Sequence, residues 1–250
     1  MKPTNPYLAT RICASLLASA ALSHAAIIVS EDFNDADGSL NGQNGGTGFS
    51  GSWSSTTNVT GGVAVGTEPS FRSFSTVFAD SGTIWISFDW GYSAKPSEGN
   101  SYGGLTFYEG GFGPGTERFL IGNTWPGSGH DLWQMNGNSS PTVELNYPVM
   151  QTGVAKITLG TGSNSTVELW VGPTGSPVDV TGPAMATATG RDLAGVDGIR
   201  INGHDFGFSN PQSFDNLIIG TSITDIDAIP EPSTALLSGL AMLAILRRKR

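Results

Sequence analysis

The chain has one cysteine in 250 residues, Cys13, and it falls inside an N-terminal apolar stretch. Past that stretch no disulfide can form, so the body must hold together by its core, and a small disulfide-stapled scaffold is excluded. Charged residues are few, 13 % of the chain. The body shows no helical period among its apolar positions, which argues against an α or α/β fold. No apolar run reaches the roughly 20 residues that span a bilayer comfortably. Catalytic signatures are missing as well. There is no His-Glu-x-x-His pair. Glu-x-Asp-x-x-Glu, which spaces two carboxylates along one strand for glycoside hydrolysis, is absent too. Only His130 and His204 follow residue 25. They are too few for a histidine-rich zinc site and read as loop residues.

What the sequence does have is concentrated at its two ends. Lys2 and Arg11 precede the apolar stretch Ile12 to Leu22, and Ser23-His24-Ala25 then places small residues at the two positions a signal peptidase inspects. This is the pattern of a secretory signal peptide over residues 1–25, with cleavage after Ala25 and Ala26 as the next choice. Cys13 does not mark a lipoprotein, because Thr10-Arg11-Ile12 lacks the small residues such a site needs. Near the other end stands Pro230-Glu231-Pro232. Each proline ring fixes φ and restricts the residue before it, so the motif is an extended strip that a processing enzyme can grip. Ala235 to Leu246 adds twelve mostly apolar residues, about 18 Å as a helix, enough for marginal or transient entry into a membrane. Arg247, Arg248, Lys249 and Arg250 follow and act as a stop-transfer signal that favours the cytoplasmic side.

Residues 230–250 resemble the PEP-CTERM sorting signal of bacterial exported proteins, with motif, hydrophobic helix and basic end in the same order. The resemblance implies an exosortase-type membrane protease as partner, beside the signal peptidase. It also implies a protein tethered to the membrane through its C-terminus, then placed at the cell surface or in the extracellular matrix, in an exopolysaccharide or biofilm context.

Removing both ends changes the charge balance. Six of the twelve basic residues lie there, namely Lys2, Arg11, Arg247, Arg248, Lys249 and Arg250, so the body carries 20 acidic against 6 basic residues, a net charge near −14. Such a body repels nucleic acid and anionic membrane surfaces, while neutral glycans and divalent cations suit it better.

Glycine is abundant, 35 residues, and falls between short alternating runs, the spacing of turns in an all-β fold. Thr83 to Trp90 places Ile84, Ile86, Phe88 and Trp90 on one face, with Thr83, Trp85, Ser87 and Asp89 on the other. Ala155, Ile157 and Leu159 point inward from a second run. Val167, Leu169 and Val171 do so from a third, which leaves Glu168 and Trp170 outside. Further runs cover residues 26–29, 62–65, 71–78, 104–108, 118–121, 196–201 and 214–219. The architecture predicted is an all-β, antiparallel two-sheet β-sandwich over residues 26–223. A linker at 224–229 leads to the sorting segment.

Glu31 to Trp53, Leu169-Trp-Val-Gly-Pro173 and Ser213 to Thr221 resemble the opening, an inner strand and the last strand of concanavalin-like, laminin-G-like domains. That resemblance implies a jelly roll, in some members with glycan on the concave sheet or calcium at a rim.

Within the body the search for chemistry gives little. Glu31 and Asp32 are adjacent and point to opposite faces of a strand, so they cannot act as a pair. Glu109 and Glu117 are separated by a glycine-rich loop. Asp32, Asn34, Asp35, Asp37 and Asn41 offer hard oxygen ligands, but without EF-hand spacing, and Asx-turn chemistry explains them without an ion. No catalytic residue, metal site or cofactor is assigned. Tryptophans are the remaining lead, because sugar rings stack on exposed indole. Trp85, Trp125, Trp133 and Trp170 are the candidate glycan contacts, each weighed against a place in the core. The expectation is an exported, non-catalytic surface or matrix protein with a structural or adhesive body. The alternative is a carbohydrate-binding module with calcium assistance, and a glycan-active enzyme ranks third.

Overall fold

A computed structural model describes residues 26–94, 102–113, 115–124, 132–136, 143–144, 146–203 and 211–226. The signal peptide with Ser23 and Ala25, His130, His204, Trp125, and the sorting segment with Pro230 to Arg250 lie outside these residues.

Every strand pairing among the described residues is antiparallel, and the strands form two sheets. The first sheet has β1 (Ile27–Glu31), β2 (Gly38–Ser39), β4 (Asn58–Thr60), β5 (Val63–Gly66), β7 (Gly82–Tyr92), β12 (Gln151–Leu159), β13 (Ser165–Pro173), β14 (Ala186–Arg191) and β16 (Gln212–Gly220). Its spatial order is β14-β13-β12-β7-β16-β5-β4-β2. A bulge between Asp215 and Ile218 divides β16, whose first half pairs with β5 and whose second half pairs with β1. The second sheet has β3 (Ser54–Ser55), β6 (Ser70–Ser73), β8 (Gly103–Tyr108), β9 (Glu117–Asn123), β10 (Leu132–Met135), β11 (Val143–Glu144) and β15 (Gly198–Ile201), in the order β11-β10-β9-β8-β15-β6-β3. This is the two-sheet sandwich that the alternating runs predict, of the jelly-roll type that the resemblance implies.

The alternation works as the period of two requires. Ile84, Ile86, Phe88 and Trp90 of β7 are buried, as are Ala155, Ile157 and Leu159 of β12 and Val167, Leu169 and Val171 of β13. They meet Leu105, Phe107, Phe119, Ile121, Ile199 and Ile201 of the facing sheet in one core. Each such large side chain contributes about 1.5–3 kcal/mol on leaving water.

Residues 223–226 form a helical turn, α1 (Ile223–Ile226), which packs on β16 and β7 with Ile226 buried. The Asp225 carboxylate accepts the Ser222 N–H at 2.9 Å and caps that turn. Three residues of the predicted linker are therefore packed onto the body. Among the described residues no helix is long and apolar enough to cross a membrane.

Candidate functional site

The outer face of the seven-stranded sheet carries a charged and aromatic cluster centred on Arg200. Its position follows from the pattern Gly198-Ile199-Arg200-Ile201: both isoleucines enter the core, so the arginine between them must face outward. In register it lies beside Thr106 of β8 and Phe71 of β6. Arg200 is nevertheless 5 % exposed. Its Nη1 donates to the Tyr108 hydroxyl at 2.7 Å and its Nη2 to Thr106 Oγ1 at 2.8 Å. The Glu117 carboxylate is 3.4 Å from Nη1 and also accepts the Tyr108 hydroxyl at 3.3 Å. The guanidinium carbon sits 5.0 Å from the Tyr102 ring centre and 5.6 Å from that of Tyr108, within cation–π reach.

This cluster has donors to spare. Arg200 Nε has no hydrogen-bond partner, and neither amide atom of the fully buried Asn202 has one. Buried polar atoms left so cost about 1–3 kcal/mol each. Beside it, Phe112 lies over Gly198, where a Cβ would come within 2.8 Å of the ring. Phe112 packs on Phe71 and Tyr108 at 5.1 and 5.4 Å between centres, and is 37 % exposed.

Burial pushes the Tyr108 and Tyr102 phenols up, against the pull of Arg200, so both stay protonated at neutral pH. Glu109 and Glu117, either side of the glycine-rich turn, lie at the same end of the β8–β9 hairpin. Each meets its own arginine there, Glu109 with Arg118 at 2.8 Å and Glu117 with Arg200.

The opposite outer face, on the nine-stranded sheet, holds a groove of about 460 Å³. Ser87, Asp89, Thr152 and Asn216 are the polar part of its lining. The Asp89 carboxylate is 5 % exposed and is fixed by Thr152 at 2.5 Å and by Asn216 at 2.9 Å. Asp215, its register partner on β16, has its carboxyl raised to about 6 by burial first, with Asp89, Asp32 and Glu31 adding to the rise.

The sequence-predicted residues divide sharply. Trp85 is half-buried on that outer face and stacks on Trp170 at 6.1 Å and 23°. Trp170 does point outward, but it is only 5 % exposed, because the segment after β13 folds back and Gly182 O accepts its Nε1–H at 3.1 Å. Trp133 is a correction. It is fully buried, packs on Phe88 and edge-on to Trp90, and gives its Nε1–H to Gln151, so no ring face is left for a sugar. β10 carries it inward beside Met135, in a short strand that alternation alone does not reveal. Arg200, Asn202, Tyr108 and Phe112 were not singled out by the sequence. The usable signal was an arginine between two isoleucines in a predicted strand.

The N-terminal Asx cluster is engaged in turns. Asp32 accepts Asn34 N–H and Nδ2–H, Asp35 accepts Gly45 N–H, Asp37 accepts Gly61 N–H and Asn41 accepts Ser55 N–H. Among the described residues no group of three or more His, Cys, Asp or Glu is arranged to hold a metal.

Fold and tail together define an exported β-sandwich protein. Residues 228–250 match the PEP-CTERM protein-sorting motif, the mark of a chain handed to an exosortase. No curated protein matches the sequence. Among solved structures, an endo-β-1,4-glucuronan lyase from the fungus Trichoderma reesei is similar at 12 % identity and a TM-score of 0.46, covering 79 % of this chain and 96 % of that one. An alginate lyase mutant in complex with alginate trisaccharide is similar at 14 % and 0.49, covering 76 % and 96 %. A cellulose induced protein is similar at 18 % and 0.43, covering 77 % and 97 %. Likeness at this level carries no statement about what this chain acts on.

Proposed function

We propose that this chain is an exported, non-catalytic protein of the cell surface or extracellular matrix, which holds polysaccharide on the outer face of its seven-stranded sheet. The observation that carries the reading is the Arg200 cluster with its unspent donors. Arg200 Nε and the Asn202 amide are closed off from solvent in the unliganded fold and supply hydrogen bonds for hydroxyl or carboxylate oxygens of a glycan when the site opens to it. Phe112, Tyr108 and Tyr102 supply ring surface for the apolar faces of its sugars. The same geometry supports an adhesive role over a catalytic one. The phenols are held protonated, and the Glu109 and Glu117 carboxylates are each matched by an arginine rather than facing each other across a cleft. A sorting tail that delivers the domain to the envelope surface supplies a setting rich in polysaccharide.

The test is a glycan array with the exported protein and its Phe112→Ala variant. Phe112 is an exposed ring, so its removal leaves the fold intact. Binding to at least one polysaccharide class is expected, weakened about tenfold or more by the variant, with no reducing ends or unsaturated products released. Absence of binding, or turnover of the bound glycan, would overturn the reading.

A further inference from the structure

The groove on the nine-stranded sheet belongs to a different face from the Arg200 cluster, with the hydrophobic core between them. Its volume, about 460 Å³, falls in the range of roughly 300–1,000 Å³ that small-molecule sites occupy. Its floor is the sheet face, where Asp89 lies beside Thr152 and Ser87 lies between Val154 and Ile218, while Val178 and Ile226 line it from the segments that flank the sheet. A pocket that mixes apolar surface with fixed hydrogen-bonding groups matches a pyranose, which presents C–H faces and equatorial hydroxyls. Thr152 and Asn216 hold the Asp89 carboxylate still, and each of its oxygens keeps a lone pair for a sugar hydroxyl.

Aromatic surface continues from the groove. Val154, in the lining, is the register partner of Trp170, and Ser87 stands two residues from Trp85 on the same strand. Trp85, half-buried and stacked on the covered Trp170, is the ring face left at its end. Charge selects among sugars. No lysine, arginine or histidine lines the groove among the described residues, and Asp89 with its neighbour Asp215 makes the floor acidic. Anionic glycans are disfavoured there.

We infer that this groove is a second carbohydrate site, which takes a neutral pyranose unit of a polysaccharide, so that one domain holds two glycan chains on opposite faces. The inference goes beyond the Arg200 reading and needs nothing from that face. Two sites on one rigid sandwich make the exported protein a cross-linker, since each chain it holds raises the local concentration of the other.

Calorimetry with the exported protein and neutral cello-, xylo-, manno- and malto-hexaose tests the site. Ser176→Trp, an exposed rim substitution that fills the groove, is compared with Val77→Ser, an exposed position outside both proposed sites. At least one neutral hexaose should bind, Ser176→Trp should weaken it about tenfold or more, and Val77→Ser should change it by less than about twofold. Thr152→Val, which removes one floor hydroxyl, should weaken it as well. The inference is overturned if no neutral hexaose binds, if Ser176→Trp binds like wild type, or if Val77→Ser weakens binding as much as Ser176→Trp does. Failure here with array binding still lost in Phe112→Ala would leave the Arg200 reading standing alone.

Discussion

Arg72 of the seven-stranded sheet reaches Glu31 of the nine-stranded sheet at 2.7 Å, with both side chains about 98 % buried. The pair is a bolt between the two layers. Glu31 also accepts the Trp53 indole N–H at 3.0 Å and the Phe33 N–H at 3.3 Å. The rest of the guanidinium is spent on Gly51 O, Gly45 O and Asn44 Oδ1, and its carbon lies 4.1 Å from the Phe49 ring centre. Burial pushes the Glu31 carboxyl up and the Arg72 guanidinium down, while their mutual attraction and the Trp53 bond oppose that. The long loop from Leu40 to Trp53 is thereby tied to the sheet that bears Arg200.

Breaking this pair on one side should be costly. Arg72→Met leaves a buried, unpaired carboxylate and should destabilise the fold by about 3–5 kcal/mol in denaturant titration. Pairing it with Glu31→Gln should recover part of that loss, because the stranded charge goes too. A double variant as unstable as the single one would contradict the pair's role.

Gly153 should resist any side chain. It sits opposite Phe88 on the core side, where a Cβ would come within 2.6 Å of the Trp133 ring. Gly153→Ala should therefore cost about 1–3 kcal/mol through overpacking, with a shift in tryptophan fluorescence as the indole moves. A melting temperature equal to wild type would show that Trp133 is not wedged there.

The same glycine shows where the sequence stopped being legible. Strict alternation in β7, β12 and β13 made the core face readable, because one buried face enforces a period of two. Trp133 was misjudged because β10 is four residues long, too short to display a period. Trp170 was placed on the correct face but not under its cover, since a loop folding back leaves no mark in alternation. The Arg200 site is a long-range product: Arg200 lies far in sequence from Tyr102 and Tyr108 and meets them only through the β8–β15 pairing.

Asp215 predicts a pH dependence. Its folded carboxyl is raised to about 6, so the folded state binds a proton that the unfolded state releases at lower pH. Its contribution favours the fold at low pH, and stability falls as pH rises through that window. Asp215→Asn should melt above wild type near about pH 7.5, with the gap closing toward about pH 4. A gap that is constant with pH would contradict the assignment.

The tail carries its own prediction. Pro230→Ala with Pro232→Ala should spare export yet leave an unprocessed, membrane-retained chain, because the motif is no longer presented as a stiff strip. Neutral replacements of Arg247 to Arg250 should weaken retention instead. Mass spectrometry of envelope protein reads both outcomes. An intact Arg250 terminus on fully mature surface protein would show that the tail only anchors.

The most direct test of glycan binding at Arg200 is nitrogen-15 NMR of the exported protein titrated with a polysaccharide fragment that the array selects. The Arg200 Nε–H and Asn202 side-chain amide resonances report the two groups that lack partners in the fold. Both should shift in step with saturation, with the Tyr108 and Phe112 ring signals following. Saturable binding that leaves the Arg200 Nε–H and Asn202 resonances unmoved would contradict the account.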